Sequence, residues 1–168
     1  PTVFLKELLG ELERQLADRG LQLYVPEEYA FCTKKAGLLV SSALCGGSLE
    51  LRLKEGLERF GPDRLVLALQ RSAEDFQLPA PEGRGRILKE EELKQMLRER
   101  QPGVFFSREL CARYFTYVDR RGQPHFVLFD DADTLRRKIQ LGAALGIPAG
   151  FLSLPEAAEA LPQLLRKG

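Results

Sequence analysis

The chain has 168 residues, of which 44% are hydrophobic. That is enough for one domain with a real core, and short of the roughly 200 residues that a complete eight-stranded α/β barrel needs. Lys and Arg number 25 against 24 Asp and Glu, so no net field invites nucleic acid or an anionic membrane, and no run reaches the ~18 apolar residues of a membrane span. Three widely spaced cysteines (Cys32, Cys45 and Cys111) and one histidine give neither zinc-ligand spacing nor a disulfide framework, so no metal and no cofactor is expected.

In chain order, Thr2 can cap a helix whose apolar positions Phe4, Leu5, Leu8, Leu9, Leu12 and Leu16 recur every three or four residues. Gly20 ends it, and Leu21 to Val25 is a short strand closed by Pro26. Glu27 and Glu28 follow at the strand's C-terminal end, where α/β barrels build their sites. Adjacent carboxylates there suit acid/base work or sugar contact, because neighbouring like charges can push one pKa upward. The alternative is an exposed helix start whose acids favour the helix dipole.

Ala36 to Ala43 is a small, apolar run of the kind a strand covered on both faces shows. Ser48 caps a helix to Phe60, and Arg64 to Leu69 is the next strand. Residues 70 to 86 carry Pro79, Pro81, Gly83 and Gly85 in a polar setting and read as a long loop. A helix from Lys89 to Arg98 precedes strands Phe105 to Val118 and His125 to Phe129, joined by a turn in which Asp119 suits the first position and Gly122 the left-handed one. Alternation sends Phe115 and Tyr117 to one face of the hairpin and Tyr114 to the other. The cluster Asp130, Asp131 and Asp133 is placed to cap a helix running to Leu145, Gly150 to Leu154 is the last strand, and Pro155 to Leu165 a final helix. Helix-to-strand repetition of this kind points to a parallel α/β architecture.

Tyr114-Phe115-Thr116-Tyr117, Asp119, Gly122, His125, Phe129-Asp130-Asp131-Ala132, Lys138 and Gly150 resemble the late part of the barrel of glycoside hydrolase family 18, notably its bacterial spore-type members. The resemblance implies a partial (β/α)8-type barrel: one α/β domain over residues 1–168, with parallel strands and an inserted α+β excursion at about 77–131 that contains the antiparallel hairpin. It implies descent from enzymes that hydrolyse N-acetylglucosamine-containing wall or spore glycans, hence a location at the cell envelope or spore. The family's protonating Glu belongs to an earlier strand and has no counterpart here, so no catalytic residue is assigned. The opening at Pro1 without Met reads as excision from something longer.

The family's Gly-Ile-Pro-Leu-Tyr-Gly run aligns with Ala68 to Ala73, which puts Ser72 where the family has tyrosine. Ser42-Ala43-Leu44 stands where the family has a Tyr-Asp pair, and the stacking tryptophan is missing because the chain has no Trp. Glu27, Glu28, Ser72, Asp75 and Tyr117 remain as candidate substrate contacts. The expected function is that of a fragment or degenerate relative of a glycosidase, or else of a non-catalytic scaffold binding glycan or protein. Four strands with open edges further imply self-association, or cover from the first half of a barrel.

Overall fold

The structure, a computed structural model, describes residues 2–80, 83–153 and 161–164. Helix α1 (Thr2–Ala17) leads into β1 (Tyr24–Pro26), a 3-10 turn (Glu27–Cys32) and β2 (Gly37–Ser41). Helix α2 (Leu49–Phe60) and β3 (Leu65–Leu69) follow. Then come β4 (Ala73–Gln77), β5 (Arg86–Ile87), α3 (Glu90–Arg100), β6 (Phe105–Ser107), β7 (Ala112–Val118) and β8 (Pro124–Phe129). Helix α4 (Ala132–Ala144), β9 (Ala149–Leu152) and α5 (Leu161–Leu164) complete the described chain.

Two sheets result. The first is parallel throughout, in the order β1-β2-β3-β9, with Val25 opposite Leu38, Leu39 opposite Val66 and Leu67 opposite Gly150. Every residue of β3 is buried, as befits a strand covered on both faces. Its partner helix α2 starts where the Ser48 hydroxyl accepts the Leu51 N–H and buries Leu49 and Leu53 against the sheet. Gly56 lets that helix approach: a Cβ there would lie 3.2 Å from a Leu65 methyl.

The second sheet is antiparallel, in the order β5-β4-β8-β7-β6, and lies between β3 and α4 in the chain. Its hairpin turn forms as the residues dictate. The Asp119 carboxylate accepts the N–H groups of Arg121 and Gln123, each at 2.8 Å, and Gly122 takes φ +79°. Phe115 and Val127 are fully buried on one face with Tyr117 beside them, under Leu93, Met96 and Leu97 of α3. Tyr114 stacks on Phe126 on the other face, their ring centroids 5.2 Å apart. Asp131 caps α4 through a reciprocal pair of bonds with Thr134.

Two expectations change. Residues 70–86 are not all loop, because Ala73–Gln77 forms β4, paired along its whole length with β8. Its Ala-Glu-Asp-Phe-Gln sequence has no β-branched residue, and the ladder offered by β8 overrides that weak local preference. The long strand from Phe105 breaks into β6 and β7 around a turn in which the Ser107 hydroxyl accepts the Leu110 N–H and Cys111 adopts φ +52°. Cys45 is exposed, while Cys32 and Cys111 are buried, and all three are free. The expected final helix at 155–165 lies mostly outside the described residues, of which 161–164 are helical. Leu154 of the expected last strand and the Thr2 side chain also lie outside them.

Candidate functional site

Parallel α/β folds place ligands at the C-terminal ends of their strands. Here that end carries a cleft of about 570 Å³. Its floor comes from the segments just past β2, β3 and β9 (Ala43, Gln70, Ser153), and one wall from Ile87, Leu88, Lys89 and Leu93 at the start of α3. Arg71 and Glu90 bridge floor and wall with a two-pronged ion pair at 2.7 and 3.1 Å. Glu90 also holds Lys94 at 3.0 Å. The second lining carboxylate, Glu74, makes no ion pair among the described residues. Among the described residues, no aromatic side chain lines the cleft.

Ser72 lines this cleft, but its hydroxyl is already engaged, donating to Asp130 Oδ2 at 2.9 Å. Asp130 is almost fully buried. It accepts in addition from the Lys138 ammonium at 2.8 Å and, through Oδ1, from the Thr134 hydroxyl at 2.8 Å. One carboxylate thus ties the β3–β4 connection to the end of β8 and to α4. Capping by the Asp130, Asp131 and Asp133 cluster falls to Asp131 alone. Asp133 instead pairs with Arg113, Arg136 and Arg137, and its carboxyl is held below the usual range chiefly by the hydrogen bond from Arg137.

Asp75 and Tyr117 do meet, although behind the cleft wall. Buried Asp75 accepts the Tyr117 hydroxyl at 2.8 Å, shares a hydrogen bond of 2.8 Å with His125 Nδ1, and has Arg86 at 3.5 Å. Tyr117 lies flat on the His125 ring at 4.5 Å, with the Arg100 guanidinium 4.1 Å above its other side. Burial, together with the bond to Asp75 and its charge, pushes the Tyr117 hydroxyl up to about 12. These are saturated side chains under α3. Glu27 and Glu28 stand apart again, on the 3-10 turn after β1, with Glu27 in an ion pair with Arg52 and Glu28 exposed.

Of the candidate contacts named from the sequence, Ser72 is among the residues lining the cleft. The sequence analysis passed over Arg71, Glu90 and Gln70, whose neighbourhood depends on β4 forming. Two signals could have found them: an Arg after the third strand, and a Glu triplet opening the next helix. Among the described residues no group of three His, Cys, Asp or Glu side chains could hold a metal ion, and no helix is long and apolar enough to cross a membrane.

No family model matches the chain, and no curated protein is similar to it. Solved structures are. A chitinase from Chromobacterium violaceum matches 97% of this chain with 61% of its own, at 17% identity and a TM-score of 0.71. The spore cortex-lytic enzyme SleL of Bacillus cereus matches 77% with 34% of its own, at 15% identity and a TM-score of 0.59. A glycoside hydrolase family 18 N-acetylglucosaminidase from Paenibacillus barengoltzii matches 98% with 62% of its own, at 15% identity and a TM-score of 0.57. At these identities the likeness is one of fold, and this chain spans between about a third and three-fifths of the length of these structures.

Proposed function

We propose that the chain is a glycoside hydrolase family 18-like module that binds N-acetylglucosamine-containing glycan at the C-terminal ends of its parallel strands and does not cleave it unaided. In this reading residues 1–168 are one domain. Strands β1, β2, β3 and β9 are the later strands of a (β/α)8-type barrel, and about 77–131 is its inserted α+β excursion. The fold shared with chitinases and a spore cortex-lytic enzyme supports the lineage. The observation that carries the lack of cleavage is the state of the cleft's carboxylates. Glycosidic cleavage needs a proton donor whose pKa is raised and, in the acetamido-assisted route, groups that orient the substrate amide. Glu90 is instead neutralised by Arg71 and Lys94, and among the described residues only Glu74 remains beside it in the cleft.

The test is reducing-end release from chitooligosaccharides and from peptidoglycan, run beside a binding titration with the same ligands. Binding without release above blank is expected. Release that disappears in Glu74→Gln would show a working acid in this cleft and overturn the proposal, and absence of binding to either glycan would favour a protein-binding scaffold.

A further inference from the structure

Glu74 lines the cleft, is half-buried, and makes neither an ion pair nor a side-chain hydrogen bond among the described residues. The strand register explains its isolation. Arg86 of β5 stands opposite Asp75, and its guanidinium goes to Asp75 at 3.5 Å and to Glu92 at 2.6 Å. Opposite Glu74 are Ile87 of β5 on one side and Leu128 of β8 on the other, so both of its cross-strand neighbours are apolar. Gly85 closes in as well, since a Cβ there would lie 3.1 Å from the Glu74 Cβ. The base of the side chain is packed, and its charge is left to water and to whatever enters the cleft.

The other charges of the cleft do not serve it. Arg71 and Lys94 are taken up by Glu90, and Lys89, at the start of α3, is exposed and makes no ion pair with Glu74. A half-buried carboxylate without a counter-charge has given up part of its hydration and gained nothing in return. A cation carried by the ligand restores that balance through a charge-assisted hydrogen bond. Neutral sugars gain less, because among the described residues no aromatic ring lines the cleft for a pyranose to stack on. Sugar carboxylates gain less still, since Arg71, the guanidinium that would receive them, is already held by Glu90 in two-pronged form. Gln70, in the same cleft, suits a sugar hydroxyl: its side-chain carbonyl accepts the Ser41 hydroxyl at 2.9 Å, which leaves its amide N–H groups to donate.

We propose that this cleft selects amino sugars whose nitrogen carries no acetyl group, with the ammonium of a glucosamine unit held by Glu74. The proposal rests on the glycan-binding reading above and narrows its ligand. A free amine is protonated at about pH 6, whereas an acetamide carries no charge there, so a single N-acetyl group decides whether the ion pair with Glu74 forms.

The test is calorimetric titration at about pH 6 with tetramers of glucosamine and of N-acetylglucosamine. The glucosamine tetramer should bind about tenfold tighter, the worth of one charge-assisted hydrogen bond in a part-exposed site. Glu74→Gln, close to the parent in shape, should bring the two tetramers to about equal affinity by weakening the glucosamine one. Glu91→Gln removes an exposed acid of α3 that does not line the cleft, and should leave the preference intact, which separates a site from general attraction of a polycation. Retention on partly de-acetylated peptidoglycan, set against retention on chitosan, tells which polymer supplies the amino sugar, and acetylating the free amines should weaken either. Equal affinity of the parent for both tetramers, a preference that survives Glu74→Gln, or one lost equally in Glu91→Gln would each overturn this inference and leave glycan binding standing. Binding of neither tetramer would overturn both.

Discussion

Lys138 and Asp130 are each about 1% exposed, and their ion pair is completed by the Thr134 hydroxyl and both the hydroxyl and the N–H of Ser72. A buried pair adds little net stability over a well-packed apolar pair, but removing one partner strands an uncompensated charge. Lys138→Met should therefore destabilise the chain by about 3–5 kcal/mol, read as a lower midpoint in urea unfolding. A variant within experimental error of the parent would mean that water or another cation reaches Asp130. The acid itself was visible in the sequence, in a helix-capping cluster. Its true partner was not, because Lys138 stands eight positions further on, inside α4 and past the reach of a capping pattern, and Ser72 joins them only through the pairing of β4.

At the scale of elements, the β7–β8 hairpin rests on local chemistry. Asp119 serves two backbone N–H groups, and its carboxyl is held below the usual range first of all by the bond from Gln123. Gly122 sits at φ +79°, where a Cβ costs about 1–2 kcal/mol, so Gly122→Ala should lower stability by that amount in chemical denaturation while leaving the far-UV spectrum native. Elements of this sort were legible in advance. The capped helices, the Asp119 to Gly122 turn and the parallel strands expected at 21–25, 36–43 and 64–69 follow from signals a few residues long, although the strands form at 24–26, 37–41 and 65–69, the first starting three residues late and taking in Pro26. Strand β4 was not legible, since Glu74-Asp75-Phe76-Gln77 carries a loop's composition and becomes a strand only against β8. The cleft went unread with it, because its wall hangs from the β4–β5 connection and the start of α3.

For the molecule as a whole, several carboxylates share one sign of shift. Glu13 of α1 accepts the N–H groups of Lys34, Lys35 and Ala36 at 3.0, 2.7 and 2.6 Å. Burial works to raise its pKa, but those three donors, helped by Arg64, outweigh it and leave it lowered. Glu11 is brought to about 2 by its hydrogen bond from Arg14, and Asp119 and Asp133 are lowered as well. A folded pKa below the unfolded one means that the unfolded chain binds more protons as pH falls. The stabilisation is then fully present above the ordinary carboxylate range of about 4–4.5 and is lost as pH drops through the depressed values. Thermal midpoints should hold between about pH 5 and 7 and fall below about pH 4. In Glu13→Gln the midpoint should be lower at neutral pH and the gap to the parent should narrow in acid, and a gap that stays constant with pH would contradict the assignment.

The position of β9 has a consequence for how the chain reaches this state. Ala149 pairs with Val66, 83 positions earlier, so closing the parallel layer from an extended coil carries the entropic penalty of a very long loop. In the intervening antiparallel unit β6–β7 and β7–β8 join near neighbours, while β4 meets β8 across 48 to 56 positions; once formed it holds the end of β3 close to the start of α4, through Ser72 and Asp130. The long circuit is thereby short-circuited, and assembly of the hairpin layer early, with the last parallel strand zipping in afterward, is the order of events that this connectivity favours.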